Sequence, residues 1–124
     1  MSSRRRRRLP RSGDFERVYR EGRSFANRHL IVYVFPRSQT GGEPRLGISV
    51  GRKLGGAVDR NRVKRMLRDA FWNIYDELEG GYDFVIVARP EARELAERDR
   101  GAGVERALRD LLAEAGLSTS PEAG

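Results

Sequence analysis

The chain has 124 residues, no cysteine and one histidine, and its formal net charge is +7. That length suits a single domain, and the inventory excludes disulfides, thiolate metal sites, a cysteine nucleophile and a histidine-rich metal centre. The charge is lopsided, with 19 basic and 6 acidic side chains in residues 1–72 against 6 and 12 in residues 73–124, so the N-terminal part is the one that seeks anions.

Residues 1–11 contain five consecutive arginines, which repel one another and offer nothing to bury, so a mobile basic arm is expected. No apolar core of a secretion signal follows them. The longest apolar run, residues 30–35, is strand-sized and far below the ~18 residues of a membrane span. A cytoplasmic protein that enters no membrane is therefore expected. Ser12 can cap a short helix in which Phe15, Val18 and Tyr19, spaced i, i+3 and i+4, make one face apolar and partly aromatic, ending near Gly22. The run HLIVYVF at 29–35 is β-branched and aromatic and is stopped by Pro36; RSQTGGEP then supplies turn residues before RLGISV at 45–50. This pattern predicts an antiparallel hairpin with a long loop.

Residues 51–56 form a glycine-rich loop with two cations, and Asp59 stands where an N-cap would precede a helix from Arg60 to about Leu78. Val63, Leu67, Ala70, Phe71, Ile74 and Leu78 share a stripe about 100° wide, while Asn61, Arg62, Arg65 and Arg68 project to the other side. Trp72 also falls on the polar side, where an indole either packs on a neighbour or meets a partner; spacing does not choose. After Gly80 and Gly81, YDFVIVAR reads as a central strand buried on both faces and closed by Pro90. Residues 91–115 are helical in pattern, split by Gly101 and Gly103, with Val104, Ala107, Leu108, Leu111 and Leu112 facing inward. Residues 116–124 form a flexible tail. The sum is one α+β domain over residues 12–115, with helices on one face of the sheet and the other face open.

Residues 52–68 hold seven basic side chains against one acid, Asp59. Cations in the first turns of a helix oppose the macrodipole by a few tenths of a kcal/mol each. A phosphate would offset that penalty, because cations, backbone amides and dipole all attract it; the plainer reading is a solvated helix face. Phe15, Tyr19 and Tyr33 are either core aromatics or a groove on which unpaired bases stack. His29 reads as structural or exposed. The glycines at 51, 55 and 56 match no nucleotide-binding fingerprint, and Asp14, Asp59 and Asp83 are too scattered to suggest a stand-alone metal-dependent nuclease.

RNRVKRMLRDAF at 60–71, preceded by LGISVGRKLGGAVD at 46–59, resembles the signature of the protein subunit of bacterial ribonuclease P, and the likeness extends to DFERVYREGRSFANRHLIVYV and YDFVIVARPEA, covering residues 9–115. The resemblance implies an αβββαβα two-layer sandwich with a mixed sheet and a left-handed βαβ crossover, against the usual hand. It therefore implies a third strand before the long helix, or a split of the second, that periodicity does not reveal. It further implies one protein copy per catalytic RNA, in a complex that removes the 5′ leader from precursor tRNA, with hydrolysis performed by the RNA through Mg²⁺ that the RNA mainly binds. Arg52, Lys53, Arg60, Asn61, Arg62, Lys64, Arg65 and Arg68 map to the face that meets the catalytic RNA, and Phe15, Tyr19 and Tyr33 to the leader-binding cleft; no catalytic residue and no protein-bound metal are implied. A general RNA-binding or ribosomal-type protein without a role in cleavage is the alternative. The chain departs from the family's usual Ser-Lys-Lys and Gly-Asn-Ala, having Gly51-Arg52-Lys53 and Gly55-Gly56-Ala57.

Overall fold

Alternating apolar residues place four strands in one mixed sheet of the computed structural model, which describes residues 20–36, 45–74, 77–78 and 82–116. The strands are β1 (Arg23–Ala26), β2 (Leu30–Pro36), β3 (Arg45–Val50) and β4 (Tyr82–Ala88), in the spatial order β1-β2-β4-β3. The expected arm at 1–11, the aromatic face of Phe15, Val18 and Tyr19, the turn at 37–44, the glycine pair at 80–81 and the tail beyond 116 lie outside the described residues. Arg20 and Glu21 are helical and Gly22 follows as a bend, where the first helix was expected to end.

β4 is central, as its composition requires. Phe84 and Ile86 on one face and Val85 on the other are all fully buried. It runs antiparallel to β2, with Leu30 opposite Ala88, and parallel to β3, with Val50 also opposite Ala88. The expected β2–β3 hairpin is therefore not formed, since β4 lies between the two strands. The reason is burial: a strand apolar on both sides loses least by standing inside the sheet, and that position separates its two neighbours. The antiparallel hairpin is instead β1–β2. Its turn is held by Asn27, whose Oδ1 accepts the N–H groups of His29 and Leu30 at 2.9 and 2.8 Å. β1 is the strand that periodicity misses, because in RSFA only Phe25 packs on the core and four residues carry too little alternation to read.

Helices α1 (Ala57–Asn73) and α2 (Ala92–Glu114) cover one face of this sheet. Val63, Leu67 and Phe71 of α1 share one buried core with Leu108, Leu111 and Leu112 of α2 and with Leu30, Val32, Phe84 and Ile86 of the sheet. Phe71 stands edge-on to Phe84 with ring centroids 5.4 Å apart, and burying such a side chain is worth about 1.5–3 kcal/mol. The helices start side by side, and each end of their seam carries polar contacts. At the far end Arg109 donates to Glu77 at 2.7 Å and Glu105 at 3.1 Å, while Asn73 donates to Glu105 at 3.0 Å. The hydrogen bond to Glu77, then that to Glu105 and both charges, raise the Arg109 pKa despite a smaller opposing effect of burial.

Two helix limits differ from the sequence reading. α1 starts at Ala57 and not Arg60, so Asp59 is inside the first turn instead of capping it. It stops at Asn73, where Ile74 leaves helical geometry (φ −105°, ψ 6°), although Ile74 and Leu78 still pack on the core. α2 breaks within the expected region, at Arg100 (φ 55°, ψ −148°), one residue before Gly101. Gly103 is needed for a different reason, since a Cβ there would meet Asp99 Cβ. Arginine at a positive φ is strained by about 1–3 kcal/mol. Arg100→Gly should therefore stabilise the fold by about 1 kcal/mol, seen as a melting temperature a few degrees higher; a lower melting temperature would show that the side chain outweighs the strain.

Candidate nucleic-acid interface

A short turn leads from the sheet into α1 and aims the first cations outward. After β3, residues Arg52–Leu54 form one 3₁₀ turn, closed by Leu54 N–H to Gly51 O and Gly55 N–H to Arg52 O, both 3.2 Å. Leu54 is buried and anchors it, which leaves Arg52 and Lys53 exposed. Gly55 has φ +156°, and a Cβ there would lie 2.7 Å from Asp59 Oδ2, so only glycine lets the turn pass the Asp59 carboxylate. Gly56 is the N-cap of α1, accepting the Arg60 N–H at 2.9 Å but offering no side-chain cap. The sole acid of this segment, Asp59, thus sits in the first helical turn, where the dipole favours it.

Beyond the first turn the cations sort by position on the helix. Asn61, Arg65 and Arg68 are exposed and Lys64 is half-exposed. At 100° per residue these four share a sector about 100° wide, turned away from the buried stripe of Val63, Leu67, Ala70 and Phe71. Among the described residues, Arg52, Lys53, Arg60, Lys64, Arg65 and Arg68 take part in no ion pair, whereas Arg62 pairs with Asp59 and Glu97. The Nε atoms of Arg60 and Arg62 are buried without a hydrogen-bond partner. Val58, 82 % exposed, is the one large apolar side chain open to solvent among the described residues, and it flanks the same sector. Trp72 packs on its neighbours: it is only 8 % exposed and meets Phe71 edge-on at 5.0 Å.

The second group of expected site residues is described only in part. Phe15 and Tyr19 lie outside the described residues. Tyr33 is half-buried on the sheet face opposite α1 and α2, beside Val85, Phe35 and Val87. Sequence reasoning weighed Asp83 only as a scattered acid and missed its pairing with Arg45 on this face. Arg45 donates from Nε and Nη2 to both Asp83 oxygens at 2.8 Å, and Asp83 is fully buried. One signal was available, an acid within the otherwise apolar YDFVIVA; its partner follows only from the register that sets Arg45 opposite Asp83. The carboxylates do not collect into a metal-ligating set: among the described residues no three acidic or histidine side chains converge.

Residues 3–115 match the Ribonuclease P sequence family. The chain is 33 % identical over 111 residues to the ribonuclease P protein component of Clostridioides difficile, covering 89 % of this chain and 92 % of that one. It is 41 % identical over 90 residues to the Bacillus cereus protein component, covering 71 % and 76 %. Among solved structures it is similar to the Staphylococcus aureus RNase P protein (TM-score 0.79, 32 % identity, 90 % and 97 % covered). It is also similar to the RNase P protein from Thermotoga maritima (TM-score 0.76, 33 % identity, 85 % and 94 % covered).

The uncapped start of α1 has a measurable consequence. Gly56 has an extended backbone (φ −77°, ψ −175°) and open space where a Cβ would stand. Gly56→Asn should add a cap and remove unfolded-state freedom, stabilising the protein by about 0.5–1 kcal/mol in thermal melts; no gain would mean that its side chain finds no helix N–H.

Proposed function

The chain belongs to the ribonuclease P protein family and is the protein subunit of that tRNA-processing endoribonuclease, and we propose that α1 with its preceding turn is its contact to the catalytic RNA. The observation that carries this reading is the set of six cations, Arg52, Lys53, Arg60, Lys64, Arg65 and Arg68, that no carboxylate neutralises among the described residues. Uncompensated positive charge at a helix start is unfavourable by itself and becomes favourable against phosphates, which also release counterions. Asn61 lies within the same sector and can hydrogen-bond sugar or base edges, while Arg62 stands at its flank.

The reaction we propose is removal of the 5′ leader from precursor tRNA, with the RNA subunit holding Mg²⁺ and performing the hydrolysis, one protein serving each RNA in the cytoplasm. The described acids suit ion pairs better than metal ligation: Asp83 lies in the fork of Arg45, and Asp59 and Glu97 face Arg62 and Arg93. The protein's contribution is then electrostatic. Its cations screen the repulsion between catalytic RNA and substrate, so less Mg²⁺ is needed to join them. Tyr33, with Phe15 and Tyr19, is the proposed stacking surface for the unpaired leader.

Replacing Arg65 or Arg68 by alanine should weaken binding to the RNA subunit and lower the magnitude of the log K against log salt slope by about 0.7–0.9 for each phosphate no longer neutralised. Unchanged affinity and slope would mean a merely solvated face. In holoenzyme reconstituted with RNase P RNA at low Mg²⁺, Tyr33→Ala should weaken precursor tRNA more than mature tRNA, by roughly 1–3 kcal/mol if one base is stacked. Equal weakening of both, with a lower melting temperature, would make Tyr33 a core residue.

A further inference from the structure

Arg62 differs from the other cations of α1 by being enclosed in a ring of charge. Its Nη2 lies 3.6 Å from Asp59 Oδ1 and 3.7 Å from Glu97 Oε2. Arg93 of α2 closes the ring, with Nη2 3.5 Å from Asp59 Oδ2 and Nε 3.3 Å from Glu97 Oε2. Two guanidinium groups alternate with two carboxylates, so the ring is neutral, and each side chain is less than half exposed, at 25 % for Asp59, 42 % for Arg62, 47 % for Arg93 and 49 % for Glu97. The ring joins the first turns of α1 to those of α2. Arg62 lies about 100° around the helix from Asn61, outside the sector that holds Lys64, Arg65 and Arg68.

The apolar seam between α1 and α2, whose buried residues include Val63, Leu67, Val104 and Leu108, fixes how deeply α1 sits, but apolar contact is non-directional and sets rotation weakly. Directional contacts do so better, and the seam has them at both ends: Asn73, Glu77, Glu105 and Arg109 at the far end, and the ring at the near end. We propose that Arg62, Arg93 and Glu97 are positioning residues that, with Asp59, set the rotation of α1 and so aim Asn61, Lys64, Arg65 and Arg68 at the RNA. Arg62 aids binding without touching phosphate. The inference rests on the reading of α1 as the RNA-facing helix.

The test is binding of the full chain to RNase P RNA across a salt series, for Glu97→Gln, Arg62→Gln, the double variant, and Arg65→Ala as reference. Glu97→Gln removes a negative charge, so attraction to a polyanion alone predicts tighter binding. The ring predicts the opposite sign. Glu97→Gln and Arg62→Gln should each weaken binding by roughly two- to tenfold with an unchanged salt slope, as expected for breaking partly exposed ion pairs, and the double variant should be no weaker than either. Arg65→Ala should lower the slope by about 0.7–0.9. Glu97→Gln that binds as tightly as the parent or more tightly overturns the proposal; so does Arg62→Gln that lowers the slope, which would make Arg62 a phosphate contact. Arg65→Ala with unchanged affinity and slope removes the α1 reading itself, a separate failure. Melting curves establish that each variant is folded at the assay temperature; should Glu97→Gln not be, Arg93→Gln opens the ring at its other corner and must weaken binding with the slope unchanged.

Discussion

A strand that is apolar on both faces can stand only where both faces are covered, and the position of β4 between β2 and β3 organises the rest of the molecule. Because β3 must then run parallel to β4, the chain cannot return by a tight turn and crosses over through α1. That crossover brings the end of β3, the 3₁₀ turn and the start of α1 to one end of the sheet. The cations at 52, 53 and 60–68 are gathered by this route, not by any attraction among themselves. α2 leaves the end of β4 in the same direction, which brings Arg93 and Glu97 alongside Asp59 and Arg62.

The one polar side chain buried in this arrangement among the described residues is Asp83. A buried carboxylate is tolerable only when its oxygens are satisfied, and the bidentate Arg45 fork does this across the parallel β3–β4 pair. Such pairs are weak evidence for stability, since desolvation offsets much of the attraction; removing one partner is the costly change, at about 3–5 kcal/mol. A slip of β3 by one residue would move Arg45 to the helix side and strand Asp83. The pair therefore specifies register on the face that also carries Tyr33.

Electrostatically, α1 is divided by what its neighbours supply. Toward α2, acids are close and Arg62 is compensated; toward solvent, Arg65 and Arg68 are not. A polyanion senses the uncompensated charges most strongly, because a neutral ring has only a short-range field. The same residue type thus stands paired and unpaired within one helix, and the difference lies in whether a carboxylate from another element can reach it.

Element identity was legible locally. The β-branched runs at 30–35 and 82–88, the α1 stripe and the break near Gly101 rest on side-chain period and backbone freedom, which belong to short stretches of chain. The cationic character of residues 52–68 follows from composition alone, and the family from the order of the motifs. What could not be read depends on residues distant in sequence. β1 reaches the core through Phe25 alone. The separation of β2 from β3 depends on a strand almost forty residues further on. Trp72 is polar-sided on an ideal helix and buried in the folded one. The pairing of Arg45 with Asp83, and the enclosure of Arg62 by Glu97 and Arg93, exist only once the sheet order has set their helices and strands side by side. Sequence by itself determined the longer helices and strands and that one region is cationic; tertiary structure decided which charges are neutralised and which stay uncompensated, because ion pairing requires approach within a few ångströms and that distance is set by packing.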